Sequence, residues 1–330
     1  MPGGFIQRSA SGAVMFDSAI DSAGKALGEF TVGAGAGSLT DGRLLAGKGF
    51  VFPKTPYQFG TTRTFTFSGA TLSWDAQTIA GPTAYIYAVG KANNPAYVST
   101  HVPGTAGFFA RDDNGNFMLD ETFFTYHFLA KVTASVAVGN NVPIVVPFPY
   151  NNLPPYAIRS DVYVTPLSSS VNSGGQNVLV VRAFGTGTVE IYFFGKVPSL
   201  GSGGGMRWWS NSGELMGDTS IPMLNIVDTL PFSGSLWGGP DRYLAGARAG
   251  RRYAVMMHSP GRHYQVFQGS GGQTGGGTTR ISVAAGRVIT SGDQDFPSVA
   301  EQLLQEVTSG GAAQNLFVDG SFSLIDVTGM

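Results

Sequence analysis

Cysteine is absent from the 330 residues, so neither a disulfide framework nor a thiolate metal site is open to this chain. Charge is scarce as well. Asp, Glu, Lys and Arg make up 12% and the net charge is −1, about half the charged share of an ordinary soluble domain. Such a balance lacks the basic surface a nucleic-acid binder needs and favours a protein that lives inside an assembly. No run of about 18 apolar residues is present to form a membrane-spanning helix. The opening Met1-Pro2-Gly3-Gly4-Phe5-Ile6 has no basic segment leading into an apolar one, so the expectation is no secretory signal and synthesis in the cytoplasm. Helical periodicity is nearly missing too. Only Pro297 to Val307, with Val299, Leu303, Leu304 and Val307 apolar, predicts a short C-terminal amphipathic helix.

What remains is a chain rich in Gly, Phe, Tyr, Thr and Val, with 48 Gly and 23 Phe, which predicts an all-β protein of strands joined by turns. One stretch occurs three times. Arg8-Ser9-Ala10-Ser11-Gly12-Ala13-Val14-Met15-Phe16-Asp17 matches Arg111-Asp112-Asp113-Asn114-Gly115-Asn116-Phe117-Met118-Leu119-Asp120. Both match Trp209-Ser210-Asn211-Ser212-Gly213-Glu214-Leu215-Met216-Gly217-Asp218. In each, a polar turn ends in Gly and an acid follows five residues later, the signature of a hairpin. The turn glycines lie about one hundred residues apart, the size of a small all-β domain.

A second landmark, Ile86-Tyr87-Ala88-Val89-Gly90-Lys91, reappears as Ile191-Tyr192-Phe193-Phe194-Gly195-Lys196. A weaker echo links Leu45-Ala46-Gly47 to Leu244-Ala245-Gly246. The reading is three tandem β-sandwich-like domains with Gly-rich linkers: 1–105, 106–203, and 204–330 with a divergent C-terminal extension. Val142 to Pro149 is apolar, but its prolines confine it to a sheet edge or an extended arm. Around Ser259-Pro260-Gly261, the runs Arg252–Met257 and Tyr264–Phe267 look like a strand pair.

Several patterns invite a chemical reading and fail on spacing. Gly33-Ala34-Gly35-Ala36-Gly37 lacks the G-x-G-x-x-G spacing and the helix that a phosphate loop requires. Asp112 to Asn116 has the oxygen density of a calcium loop without its ligand order. The four histidines, His101, His127, His258 and His263, show no zinc spacing, although His258 and His263 flank one turn. Ser259 is not in a nucleophile elbow. Asp17, Asp120 and Asp218 end strands, where an acid accepts backbone N–H bonds from the next turn. The expectation is no catalytic set, no cofactor and no metal.

The third segment stands out in charge. Between residues 241 and 290 it holds seven arginines against the single acid Asp241, with no Lys. Guanidinium groups suit carboxylate or phosphate partners, and the tentative partner or receptor contacts are Arg248, Arg251, Arg252, Arg262 and Trp237. Salt bridging to a neighbouring subunit is the competing role for these arginines. Trp208, Trp209 and Trp237 suit either sugar stacking or core packing.

The recurring hairpin, best in Gly12 to Ser18 and less close in Gly115 to Asp120 and Gly213 to Asp218, resembles modules in minor tail, tail-tip and tail-fibre proteins of tailed bacteriophages. That resemblance implies a virion structural protein of the tail, made in the host cytoplasm and not an enzyme. Its implied partners are other tail proteins and copies of itself, as a homotrimer or higher, with a host-surface polysaccharide as a further candidate; it implies neither nucleic-acid binding nor a membrane span. The alternative is a carbohydrate-binding adhesin or capsid-decoration protein, and a hydrolase ranks third.

Overall fold

A computed structural model describes residues 6–8, 14–17, 24–54, 63–76, 84–90, 109–111, 117–120, 123–149, 153–172, 174–196, 205–210, 212–232, 240–259, 262–267, 277–309, 315–318 and 320–330. The chain begins with β1 (Ile6–Arg8) and β2 (Val14–Asp17). There follow β3 (Lys25–Thr31), β4 (Gly37–Thr40), a 3₁₀ turn over Gly42–Ala46, β5 (Lys48–Pro53), β6 (Phe65–Ser68), β7 (Thr71–Trp74) and β8 (Ala84–Gly90). The middle third has β9 (Phe109–Arg111), β10 (Phe117–Asp120), β11 (Phe124–Thr125), β12 (His127–Val136), β13 (Asn141–Pro149), β14 (Tyr156–Ser160), β15 (Val164–Val171), β16 (Gln176–Ala183) and β17 (Gly187–Gly195). The last third has β18 (Arg207–Trp209), β19 (Leu215–Asp218), β20 (Asn225–Phe232), β21 (Arg242–Tyr243), β22 (Tyr253–Ser259) and β23 (Arg262–Phe267). It ends with β24 (Gly277–Ser291), β25 (Gln294–Ser309), β26 (Asn315–Val318) and β27 (Gly320–Asp326). The protein is all-β, with several antiparallel sheets and no α-helix among the described residues.

The thrice-repeated stretch forms the same hairpin each time. The acid closes the register in all three: Asp17 faces Ile6, Asp120 faces Phe109 and Asp218 faces Arg207. Each carries a bulge at one place, and the residue skipped by the register is Met15, Met118 or Met216. A bulge at a fixed position is a specified feature that bends the strand. The turns of the first two hairpins lie outside the described residues. In the third, Gly213 sits at φ +82°, a backbone conformation that glycine adopts without Cβ strain. Its bulk is redistributed: Trp208 opposes Gly217, whereas Gln7 opposes Phe16 and Ala110 opposes Leu119. A Cβ on Gly217 would lie 2.0 Å from the Trp208 ring, which explains the small residue there.

Beyond the hairpins the three thirds share a strand order. β3, β8 and β5 form one ladder, as do β12, β17 and β14, and β20, β27 and β22. The first pairing of each ladder is bulged at its third residue: Leu27, Leu129 and Val227. Facing these are β4-β7-β6 in the first third and β13-β16-β15 in the second. In the last third β23 pairs β26, and the long β24–β25 hairpin, which intervenes between them in the sequence, pairs the other edge of β23 through β24. β13, with its three prolines, pairs only β16 among the described strands and is an edge there. β14 pairs β22, and β15 pairs β24, so the second and third units share both sheets.

Alternation in these strands separates two kinds of core. Tyr85, Tyr87 and Val89 face the first unit's own interior with Leu72 and Leu39. Ile191 and Phe193 do the same in the second unit, and Phe322 and Leu324 in the third. The opposite faces meet in a common interior built from Phe50, Ile86 and Ala88, from Tyr192 and Phe194, and from Ile226, Met256 and Ile325. At its centre three backbone hydrogen bonds close a ring. The Gly24 N–H donates to the Leu224 carbonyl (2.7 Å), Leu224 to Tyr126 (2.7 Å) and Tyr126 to Gly24 (3.1 Å). A cyclic set with one donor–acceptor sense is what a threefold rotation generates. Gly24 is the small member, since a Cβ there would lie 2.6 Å from Leu224 Cδ2.

Three expectations need correction. Residues 297–307 are not a helix: they lie in β25, paired with β24. The adjacent Leu303 and Leu304 that mimic a helical stripe mark a register shift, Ser282 facing Leu303 and Ile281 facing Gln305. Val299 is buried while Leu303 is 47% exposed, so no single apolar face exists. Secondly, β22 and β23 do not pair with each other; they belong to different sheets. Thirdly, the Ile-Tyr-x-x-Gly-Lys landmark lies on equivalent strands but one residue out of phase, because Tyr87 faces Gly28 while Phe193, not Tyr192, faces Ala130. A slip of one residue turns a side chain to the other face, so Tyr87 belongs to a unit interior and Tyr192 to the common one.

Candidate functional site

The polar residues with most chemical potential lie where units meet. His127, at the start of β12, is fully buried. Its Nδ1 donates to the Ile221 carbonyl (3.2 Å), and Nε2 lies 2.7 Å from Thr125 Oγ1. Burial pulls its pKa down to about 4, against the opposing pull of the Ile221 bond and the Asp218 charge. Asp218 itself has no exposed surface. It accepts from Arg207 Nε (2.8 Å), from the Ser220 N–H (2.8 Å) and from Ser220 Oγ (2.6 Å). The strand-ending acid thus caps its own turn and ties the third hairpin down beside β12; the side chains of Asp17 and Asp120 are outside the described set.

His258, on β22, lies between the first and third units. It stacks on Phe50 with ring centroids 4.8 Å apart, meets Phe52 at 5.0 Å, and bonds Ser323 Oγ at 2.7 Å. Its Nδ1 has no hydrogen-bond partner among the described residues, and burial brings its pKa down to about 3. A ring so placed is a neutral packing element, not a proton shuttle.

Ionic links join the second unit to the third. Arg159 on β14 donates to the Tyr253 carbonyl (2.9 Å), to Thr290 Oγ1 (2.6 Å) and to both oxygens of Asp295. Burial would raise the Asp295 carboxyl, but bonds from Arg159, Thr290 and the Tyr253 N–H hold it below the usual carboxylate value. Glu190 meets Arg252 (3.2 Å) and accepts from the Tyr192 hydroxyl (2.8 Å). Asp241 accepts from Arg287 (2.8 Å) and from the Tyr163 hydroxyl, and the Arg287 guanidinium lies 4.2 Å over the Tyr163 ring.

These links say where the arginine-rich segment goes. Arg251 is bridged to the buried Asp326 and is 10% exposed. Arg252 spans to Glu190 of the second unit. Arg248 engages through its backbone N–H, which donates to the Tyr253 hydroxyl (2.9 Å). The backbone of Arg262 runs in β23 between β24 and β26; its side chain and all of Trp237 are outside the described residues. Two of the arginines that read as a ligand patch in the sequence thus pair with acids of the same chain, Arg251 within the third unit and Arg252 across to the second. The signal for that use was weak, because Glu190, Asp295 and Asp326 are distant in sequence from their partners.

The Gly33–Gly37 loop shows why it is no phosphate cradle. The buried Arg63 donates to the carbonyls of Gly33, Gly35 and Asp75, so the loop turns acceptors inward where a phosphate needs N–H donors. Among the described residues no group of three His, Asp or Glu could hold a metal ion, and Asp112 to Asn116 falls outside them. No helix among them is long and apolar enough to cross a membrane.

Several large apolar side chains are exposed on the described surface. Met206 (41% exposed) and Trp209 (49%) lie on the third hairpin, and Tyr243, Ile289 and Phe296 on β21 and the β24–β25 turn. Such side chains suit protein contact better than catalysis. No protein-family model, curated protein or solved structure matches the chain.

Proposed function

We propose that the chain is a non-enzymatic structural component of a bacteriophage tail, placed at the tip, baseplate or fibre attachment and working by assembly. The observation that carries the reading is the three-way closure through Gly24, Tyr126 and Leu224. It makes the chain a rigid block about an axis, the form a part on a symmetric tail requires. The bulged hairpins resemble tail-protein modules, and the low charge of the chain suits a buried position in a particle. Its partners in this reading are other tail proteins. Because one chain already supplies three units, we propose one copy on the axis in place of the homotrimer its sequence suggests.

The test is a peptide inventory of gradient-purified tailed particles from cells that carry the gene, with antibody labelling to locate the chain. The reading expects its peptides in the particle at one end of the tail. A chain absent from particles that binds glycans in isolation would instead be the separate adhesin, for which the half-exposed Trp209 is the favouring observation.

A further inference from the structure

We propose that the outer face of β21 and the β24–β25 hairpin carries a binding site for an uncharged saccharide chain, formed by Tyr243, Phe296 and Ile289 around the half-exposed Arg287–Asp241 pair. The inference rests on placing the chain at one end of a tail, where it meets a surface, and goes further by naming the contact residues and the class of ligand.

Strand register puts these side chains on one face. Ile289 faces Phe296, Arg287 faces Ser298, and Ser298 faces Tyr243 on the neighbouring strand. The intervening Val288 and Val299 turn the other way, into the third unit's core, as alternation requires. Tyr243 is 64% exposed, and Ile289 and Phe296 are 40% exposed each. The second unit contributes as well: the Tyr163 ring lies 4.2 Å from the Arg287 guanidinium, and its hydroxyl donates to Asp241. β15 pairs β24, β24 pairs β25 and β25 pairs β21. The groups therefore stand on continuous sheet and need little ordering on binding.

Exposed rings alone would suit a protein partner. Area argues against one. At about 200 Å² for a whole side chain, the three expose on the order of 300 Å², against about 800 Å² a side for a stable protein interface.

The polar centre sets the chemistry of the ligand. Arg287 Nη2 donates to Asp241 Oδ2 (2.8 Å) and Nε to Ser298 Oγ (3.4 Å), and the Tyr163 hydroxyl donates to the same Oδ2. Asp241 Oδ1 and Arg287 Nη1 have no hydrogen-bond partner among the described residues. Their side chains are 31% and 27% exposed. One ion pair thus leaves an acceptor and a donor open. Hydroxyl groups answer both, since each donates and accepts at one oxygen. A phosphate or carboxylate would be repelled by Asp241 and an ammonium group by Arg287, so the pair favours a neutral ligand over either. Pyranose rings add apolar C–H faces, which lie on exposed aromatic rings such as Tyr243 and Phe296. A few polar groups set among apolar and aromatic side chains is the usual make-up of a small-ligand site.

The test is biolayer interferometry of the purified full chain on immobilised polysaccharides: neutral dextran, mannan, galactan and β-glucan, and acidic alginate and polygalacturonate. Binding to at least one neutral polymer is expected, and it should hold between about 0.1 M and 1 M salt, because no net charge takes part. Binding to acidic polymers alone, binding lost at high salt, or no binding to any polymer would each overturn the site. Tyr243→Ala is expected to keep the melting temperature and to weaken binding at least tenfold. Val138→Ser, at an equally exposed apolar residue after β12, is expected to bind as the natural chain does. Unchanged binding by Tyr243→Ala, or an equal loss in both variants, would also overturn it. A chain found in particles that binds no polysaccharide would refute this site and leave the tail role standing; a chain absent from particles that binds through Tyr243 would do the reverse.

Discussion

Mild acid should loosen the junctions between units before the carboxylates of Asp41 and Asp295 are neutralised. His127 and His258 are both buried neutral, with folded-state values near 4 and 3 against an ordinary 6.5. A histidine depressed in the fold binds its proton more readily when unfolded. Stability is therefore full above about pH 6.5 and falls as the pH drops towards the folded values. Each ring costs about 1.4 kcal/mol per pH unit in that window, so between pH 7 and 5 the two together remove about 4 kcal/mol. That is a large fraction of the stability of a typical domain. The carboxylates of Asp41, which accepts from Arg43 (2.8 Å) and the Tyr87 hydroxyl (2.8 Å), and of Asp295 are held below 3.8; their contribution persists above that value and is lost only at lower pH, so the two effects separate. Urea unfolding at pH 7, 6 and 5 reads the slope directly, and the His127→Gln, His258→Gln double variant should flatten it. Equal stability of the natural chain at pH 7 and 5 would refute the burial of these rings.

Other consequences follow from the same packing. Gly217→Leu should cost about 1–3 kcal/mol by overpacking against Trp208, and Trp208→Ala about 3–5 kcal/mol. The double variant recreates the Ala110–Leu119 pairing of the second hairpin and should cost less than the sum; strict additivity in a urea double-mutant cycle would contradict the shared site. Gly24→Leu, with Leu224 Cδ2 only 2.6 Å from the new Cβ, should cost about 1–3 kcal/mol in thermal melts, whereas Gly33→Ala, with nothing within 4 Å, should be near neutral. Asp295→Ala removes the buried carboxylate that accepts from Arg159, Thr290 and the Tyr253 N–H and should cost about 1–3 kcal/mol. Glu214→Ala, in a pair with both side chains 54% exposed, should cost below about 1 kcal/mol.

The all-β class and the three hairpins were legible because both depend on local pattern: Gly at a turn, alternation beside it, an acid at a fixed step. The placement of β13 at an edge followed from prolines that cannot donate to a ladder. What stayed hidden depends on tertiary pairing. A bulge near Leu304 imitated helical spacing, and the Ile-Tyr-x-x-Gly-Lys echo was a likeness of letters one residue out of register. Arginines read as a ligand patch found acids more than sixty residues away, as Arg252 does with Glu190. The recurrent Met at the hairpin bulge was present in all three copies, yet its meaning appears only once the strand registers are known. The ring at the axis had no side-chain signature at all, since it is made of backbone groups from Gly, Tyr and Leu.

Hydrogen exchange of three amides tests the central claim most directly. If Gly24, Tyr126 and Leu224 close one ring, their N–H groups should exchange together, in the slowest class, and with the free energy of global unfolding. Exchange of any one of them a hundredfold faster than the other two, under conditions where the chain stays folded, would mean that its unit opens alone and that no threefold closure exists.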